Sequence, residues 1–400
     1  MVKSKQADLF ETTAPKGVQK LSDQQRVDWL RLIRSPNIGP ITFRDLLNQF
    51  GGASAAIKAL EGRNNSSRRF QLSSQEKALR ELEIADKFGA HIVALGEAAY
   101  PRWLQSIDAA PPLIYMKGRL DLAQRPSVGI VGSRNASGAG LKFAGVLAQN
   151  LGEEGIVITS GLARGIDAAA HCAALPTGTI AVLGGGLDHV YPAQNEEIYL
   201  RIASDGLLIS ERPLGVIAKA KDFPRRNRII SGISHGTIVV EAAMRSGSLT
   251  TARFASEQGR EVFAVPGHPL DPRATGTNKL IQNGANLITS FEDVLESLRP
   301  QLSDQDCYNQ TENQTSGFQE TIESPLSMDE KSKQNLAQFE RSDEDLKARV
   351  LELLGPTPIE RDTLVRLLKC NAKDLQIVLL DLDLEGLIEH HGQQRLSLSS

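Results

Sequence analysis

The amino-acid sequence predicts a doubly wound α/β protein, in which an extended Rossmann-like, mostly parallel sheet follows a small helical domain and precedes a winged-helix-like domain. Three observations carry this prediction. From Ser127 onward the runs SVGIV, GIVIT, TIAVL, GLLIS, TIVVE, EVFAV and NLIT are short and β-branched. Helix-length stretches separate most of them, the alternation that builds a parallel sheet covered on both faces. Upstream, apolar residues recur at helical spacing, and downstream a polar stretch divides the sheet from a final set of short helices.

In chain order, residues 1–20 are expected to be disordered, and residues 21–75 to form a helical domain of the helix-hairpin-helix or SAM-like kind. Its apolar positions Val27, Leu30, Ile33, then Leu46, Leu47, Phe50, then Ile57, Leu60 suit short helices, while Pro36, Gly39 and Pro40 force a tight turn between the first two. Such a turn either presents backbone amides to a phosphate or serves the packing of the helices alone. Residues 76–300 are assigned to the extended Rossmann-like domain, with short strands at His91–Leu95 and Pro112–Lys117 lengthening its sheet. Residues 301–341, rich in Gln, Asn, Ser, Asp and Glu, are expected to be a flexible linker. Residues 342–400 then supply three helical patterns and a hairpin, the order of a winged helix.

A chain of 400 residues accommodates this many domains. No apolar run approaches the roughly 20 residues of a membrane span, and the N-terminus carries no export signal, so a cytoplasmic location without membrane contact is expected. Cys172, Cys307 and Cys370 are too scattered for a disulfide framework or a metal knuckle. A net charge of -3 does not announce a nucleic-acid binder, so any such site must be a local basic patch.

The loops after the strands offer that patch. VGSRNASGAG places Gly132, Ser133, Arg134 and Ser137 at a helix start, where free amides and the dipole favour an anion. Its glycines do not follow GxGxxG and no acidic residue closes the second strand, so no dinucleotide cofactor is expected. The second turn offers Ser160, Gly161 and Gly165, with Asp167 and His171 four residues apart on one helix face. That pair either works as acid and base or fixes the loop. The third turn brings Gly185, Asp188 and Tyr191, the last a face on which a base could stack. The densest cluster is KAKDFPRRNRIISG: Lys219, Lys221, Arg225, Arg226 and Arg228 lie beside Phe223 and Asn227, with Pro224 expected to start a helix from which the arginines fan out. Cation and aromatic together suit a single strand. Glu241, Ser248, Thr250, Pro266 and Gly267 fall in the next two loops, on the edge where open α/β sheets bind ligands. No catalytic set and no metal site stand out.

Together VGSRNASGAG, SGLARGIDAAAH, AVLGGGLDHVYP, FPRRNRIISG, VVEAAMRSGSLTTARFASEQGREVFAVPG and GTNKLIQNGA closely resemble the DprA/Smf family over about Tyr100–Leu298. The resemblance implies a non-enzymatic protein that binds single-stranded DNA, dimerises, and helps load the RecA recombinase during natural transformation. It also implies that Arg134 and the arginines of FPRRNR contact DNA, with Gly132, Ser133, Ser160, Gly161 and Asn227 shaping the pocket. Some relatives have a lysine after the YP of the third turn, where this chain has Ala193 and Gln194. Two alternatives are a nucleotide hydrolase using Glu241 as base, which lacks the PGGxGT loop such enzymes carry, and a scaffold regulated by a bound nucleotide. In the last domain, the expected recognition helix AKDLQIVLLDLDLE is acidic, so contact with protein fits it better than contact with a duplex.

Overall fold

The structure is a computed structural model that describes residues 20–63, 71–308, 346–355, 359–391 and 395–398. The segments expected as a disordered N-terminus and a flexible linker lie outside them, apart from Lys20 and residues 301–308, which continue a helix. The described residues fall into two compact units, one built on the sheet and the other on the remaining N- and C-terminal parts.

The N-terminal part is helical: α1 (Asp23–Ile33), α2 (Pro40–Phe50), α3 (Ala53–Arg63) and α4 (Gln75–Phe88). Leu30, Phe43, Leu46, Ile57 and Leu60 are buried together with Trp29, whose ring meets Phe43 edge-on at 4.9 Å. The expected turn separates α1 from α2, with Asn37 at φ 63° and Pro40 as the first residue of α2, where its missing N–H costs nothing.

The sheet has nine strands: β1 (His91–Ala94), β2 (Leu113–Gly118), β3 (Ser127–Val131), β4 (Val157–Ser160), β5 (Thr179–Val182), β6 (Leu207–Ser210), β7 (Gly236–Val239), β8 (Glu261–Ala264) and β9 (Asn286–Leu287), in the order β1-β2-β6-β5-β4-β3-β7-β8-β9. From β3 to β9 all pairings are parallel, and the two early strands extend one edge, as the sequence predicts, pairing there antiparallel. The order reverses at β3, which lies between β4 and β7, so a topological switch opens beyond the C-terminal ends of β3 and β7.

The short helix α5 (Arg102–Gln105) precedes β2, and seven more follow β3: α6 (Gly138–Glu153), α7 (Ile166–Ala174), α8 (Glu196–Asp205), α9 (Asp222–Ile233), α10 (Gly247–Glu257), α11 (Thr275–Gln282) and α12 (Phe291–Tyr308). Val128, Ile130, Ile158 and Ile238 of the central strands are fully buried against Leu147, Leu151 and Ala170 of α6 and α7, which is why these strands read as unbroken apolar runs. Gly165, at φ 76°, lets α7 start against the first turn, where a side chain would collide with the Ser133 carbonyl.

After the sheet unit, helical residues 346–353 (α13) are followed by β10 (Ile359–Glu360), α14 (Arg361–Leu368), α15 (Ala372–Leu384), β11 (Ile388–His391) and β12 (Arg395–Leu398). The strands form an antiparallel sheet in the order β10-β12-β11, and Val350, Leu364, Leu375, Leu382 and Leu396 make the core of this winged helix. The acidic end of α15 is engaged within the chain. Asp383 accepts from the Thr42 hydroxyl in the first turn of α2 at 2.5 Å, Asn37 caps the Leu384 carbonyl at 3.2 Å, and Glu385 pairs with Lys347 at 2.7 Å. The start of α2 thus holds a carboxylate of its own chain through a side-chain hydroxyl. Among the described residues no helix is long and apolar enough to cross a membrane.

Two histidines of the sheet unit are buried as neutral groups. Burial, reinforced by the charge of Arg226, pushes His171 down to about 3, and burial lowers His235 to about 4. An unfolded chain protonates both near 6.5. Their contribution to stability is therefore complete above pH 6.5 and is lost as pH falls toward 4 and then 3. Melting followed by circular dichroism between pH 7.5 and 4 should show a falling Tm, and His171→Asn should flatten the decline; a variant whose Tm falls as steeply as the wild type's contradicts this assignment.

Candidate nucleic-acid interface

The loops that follow the parallel strands lie on one edge of the sheet, and their polar groups divide into two sets. The first set faces inward. After β4, Gly161 and Ala163 donate backbone N–H groups to the Asp167 carboxylate at 3.1 and 3.3 Å. His171, one turn along α7, faces Thr179 instead, with Nδ1 to hydroxyl at 2.7 Å. Of the two readings of this pair the loop-fixing one holds for Asp167, while His171 is engaged separately at the start of β5. Burial raises the Asp167 carboxyl despite the nearby Arg226 guanidinium and the two amides. Ser160 is also fully buried and donates to the Ile130 carbonyl at 2.6 Å, so it ties β4 to β3.

Arg226 brings a correction. The helix α9 starts at Asp222 rather than Pro224, and its arginines do not all fan outward. Arg226 is 5% exposed; its guanidinium donates to the Gly161 carbonyl at 2.7 Å and to the Val182 carbonyl, while its Nε meets the Asn227 side-chain oxygen at 3.2 Å. A Cβ on Gly161 would lie 2.6 Å from that guanidinium, so glycine is required there. Arg228 is equally withdrawn, paired with Glu211 at 2.5 Å. These two arginines hold α9 against the sheet.

The second set faces solvent. Arg134, in the first turn, is exposed, with its guanidinium 5.8 Å from the Phe223 ring. Phe223 packs on Gly184 and meets Tyr191 at 5.1 Å between ring centres, and Tyr191 is 54% exposed. Lys219, Lys221 and Arg225 are exposed around the same helix start. Arg225 keeps half its side chain in solvent and lies 3.7 Å from Glu211, a loose pair. The expected cation-and-aromatic strip thus consists of Arg134, Lys219, Lys221, Phe223, Arg225 and Tyr191.

The remaining expected residues shape the edge. Gly132 and Ser133 form the half-buried turn beneath Arg134, and Ser137 caps α6. Gly185 accepts from Ser210 at 2.6 Å, and Asp188 accepts from the Gly215 N–H at 2.8 Å. Asn227 donates to the Gly247 carbonyl at 3.2 Å, joining α9 to the loop after β7. Glu241 lies in that loop, Ser248 bonds Ser246 at 2.7 Å at the start of α10, and Thr250 is half-buried on the same helix. Pro266 and Gly267 are exposed after β8, with Gly267 bonded to Asn278.

Sequence reasoning missed Arg164 and Arg245, both exposed in loops of this edge. Arg164 immediately precedes the glycine that packs on the Ser133 and Arg134 carbonyls, and a cation beside a turn glycine was a readable signal. A solvent-open hollow of about 400 Å³ is lined by Arg134, Asn135, Leu141, Gly165, Ala169 and Cys172. Among the described residues no group of three or more His, Cys, Asp or Glu is placed to hold a metal ion.

With this geometry in hand, three family models match the chain: DNA recombination-mediator protein A over residues 91–299, the DprA-like N-terminal HHH domain over 23–84, and the DprA winged helix domain over 334–394. The chain is similar to Protein Smf of Synechocystis sp., with 32% identity over 94% of this chain and 99% of that protein. It is also similar to DNA processing protein DprA of Streptococcus pneumoniae, with 50% identity over 49% of this chain and 70% of the relative. The X-ray structure of the Streptococcus pneumoniae protein covers 70% of this chain and 98% of its own at 36% identity, with a TM-score of 0.58.

The two kinds of arginine should separate in chemical denaturation. Arg226→Ala strips the buried Gly161 and Val182 carbonyls of their donor and removes the positive charge near Asp167, and should cost about 3–5 kcal/mol, whereas Arg225→Ala, on the surface, should stay within about 0.5 kcal/mol of wild type. Equal losses in the two variants would contradict the division.

Proposed function

We infer the function from one premise: this chain belongs to the DprA/Smf family of DNA-processing proteins. We propose that the C-terminal edge of its sheet binds single-stranded DNA, and that the chain acts as a recombination mediator rather than an enzyme. Arg134, Lys219, Lys221 and Arg225 contact phosphates, with Arg164 and Arg245 as further cations along the edge. Phe223 and Tyr191 receive unpaired bases. Arg226 and Arg228 keep the strip in place from within.

The observation that carries the reading is the exposed run of cations around the Phe223–Tyr191 ring pair, in a chain whose net charge is -3. Phosphate contacts supply affinity whatever the sequence, and ring faces reward bases only when these are unstacked, so the combination favours a single strand over a duplex. A hydrolase reading is disfavoured because Glu241 and Asp167, its available carboxylates, already accept hydrogen bonds from nearby loop residues. The family resemblance extends the proposal to a homodimer, to RecA as the recombinase loaded on the strand, and to a cytoplasmic role in natural transformation.

Fluorescence titration of the full chain with short single strands and matched duplexes at several salt concentrations tests the reading. The single strand should bind more tightly, and Arg134→Ala combined with Arg225→Ala should reduce the slope of log K against log salt by about 1.4, at roughly 0.7 for each phosphate contact. Phe223→Ala should weaken binding by about 1–3 kcal/mol while leaving that slope in place. A slope unchanged by the double variant, or a duplex bound as well as the single strand, overturns the proposal.

A further inference from the structure

Ligands of open α/β sheets seat where the strand order reverses, commonly with a phosphate at the start of the helix that follows the first strand of the switch. In this chain the switch lies beyond β3 and β7, and the helix is α6, sixteen residues long. An anion already sits there. Glu241, which follows β7, turns its carboxylate onto the cap of α6: one oxygen accepts from the Ser137 N–H at 3.0 Å and the other from the Ser137 hydroxyl at 2.5 Å. The same hydroxyl accepts from the Gly140 N–H at 2.9 Å. A Cβ on Gly140 would lie 2.6 Å from the nearer Glu241 oxygen, so the glycine at this position is what lets the carboxylate come so close.

A carboxylate held by a backbone amide and a hydroxyl at a helix start uses the donors that a terminal phosphate would use, and its charge would repel one. The Ser137 donors of the first turn, which the sequence marks as ready for an anion, are therefore already taken. We propose that Glu241 is an internal substitute for a phosphate: it closes the mononucleotide seat of the fold, so that nucleoside monophosphates and free phosphate are refused. A nucleic-acid strand is then held only by the outer strip of Arg134, Arg225 and the lysines. Glu241 is on this view a specificity-determining residue, and the inference rests on the strand-binding reading of the same edge.

Isothermal titration of the full chain with AMP and with inorganic phosphate, comparing wild type, Glu241→Ala and Glu241→Gln, tests it. Wild type should bind neither probe measurably. Glu241→Ala should gain AMP affinity at least tenfold, and inorganic phosphate should compete for the gained site; Glu241→Gln, neutral but of similar size, should gain less. If Glu241→Ala fails to melt cooperatively, Glu241→Gln decides. Folded variants with no gain, or a wild type that binds AMP as well as they do, overturn the proposal. Titration of wild type with oligothymidylate is read separately: failure there sinks the strand-binding reading, whereas failure to gain AMP sinks only the role of Glu241.

Discussion

The loop edge at the C-terminal ends of the parallel strands depends on one buried charge. The guanidinium of Arg226 reaches from α9 to the Gly161 and Val182 carbonyls, at the ends of β4 and β5, with Asp167 opposite it. Withdrawing a charge from water costs several kcal/mol unless hydrogen bonds and an opposite charge offset it. Both ends of the pair register that cost: burial lowers Arg226 to about 10 and raises the Asp167 carboxyl, each against the pull of its partner. With the tie made, the second and third turns and the start of α9 share an anchor, and Arg225 beside it is exposed.

A second regularity follows from the donors at the loop starts. Helix starts and tight turns leave backbone amides unpaired, and such amides attract anions. Here the chain supplies the anions itself. Glu241 serves Ser137, Asp167 serves Gly161 and Ala163, Asp188 serves Gly215, and Asp222 serves Lys219. In the other unit Asp383 meets the first turn of α2 differently, accepting from the Thr42 side-chain hydroxyl. Carboxylates spent in this way leave Arg134, Lys219 and Lys221 exposed along the edge, with Arg225 only loosely paired. That is how a chain of net charge -3 presents a cationic strip.

Much of the architecture was legible because its signals are local. Apolar runs of four or five residues between helix-length stretches marked every parallel strand, and the turn chemistry of Pro36, Gly39 and Pro40 marked the break between α1 and α2. The strip was legible in part. Arg134, Phe223 and Tyr191, each read from a different loop, come together in the structure, whereas Arg225, Arg226 and Arg228 looked alike as a run of charge and proved to have different surroundings. On a helix, positions one or two residues apart point in different directions, so Arg226 turns inward while Arg225 and Arg228, three apart, share the side that faces Glu211, and only the packing of α9 says which direction is core. Asp167 and His171 share a helix face by spacing, yet the strands beneath them offer separate partners and keep them apart.

By itself, then, the sequence determined the element order, the parallel sheet and the family, since hydrophobic periodicity, turn residues and motif spacing are properties of neighbours along the chain. Tertiary structure alone decided which cations meet solvent and which carboxylates accept from the loop starts. Those outcomes depend on groups far apart in sequence, such as Ser137 with Glu241 or Gly161 with Arg226, whose pairing is set by the free energy of burying charge and has no trace in local pattern.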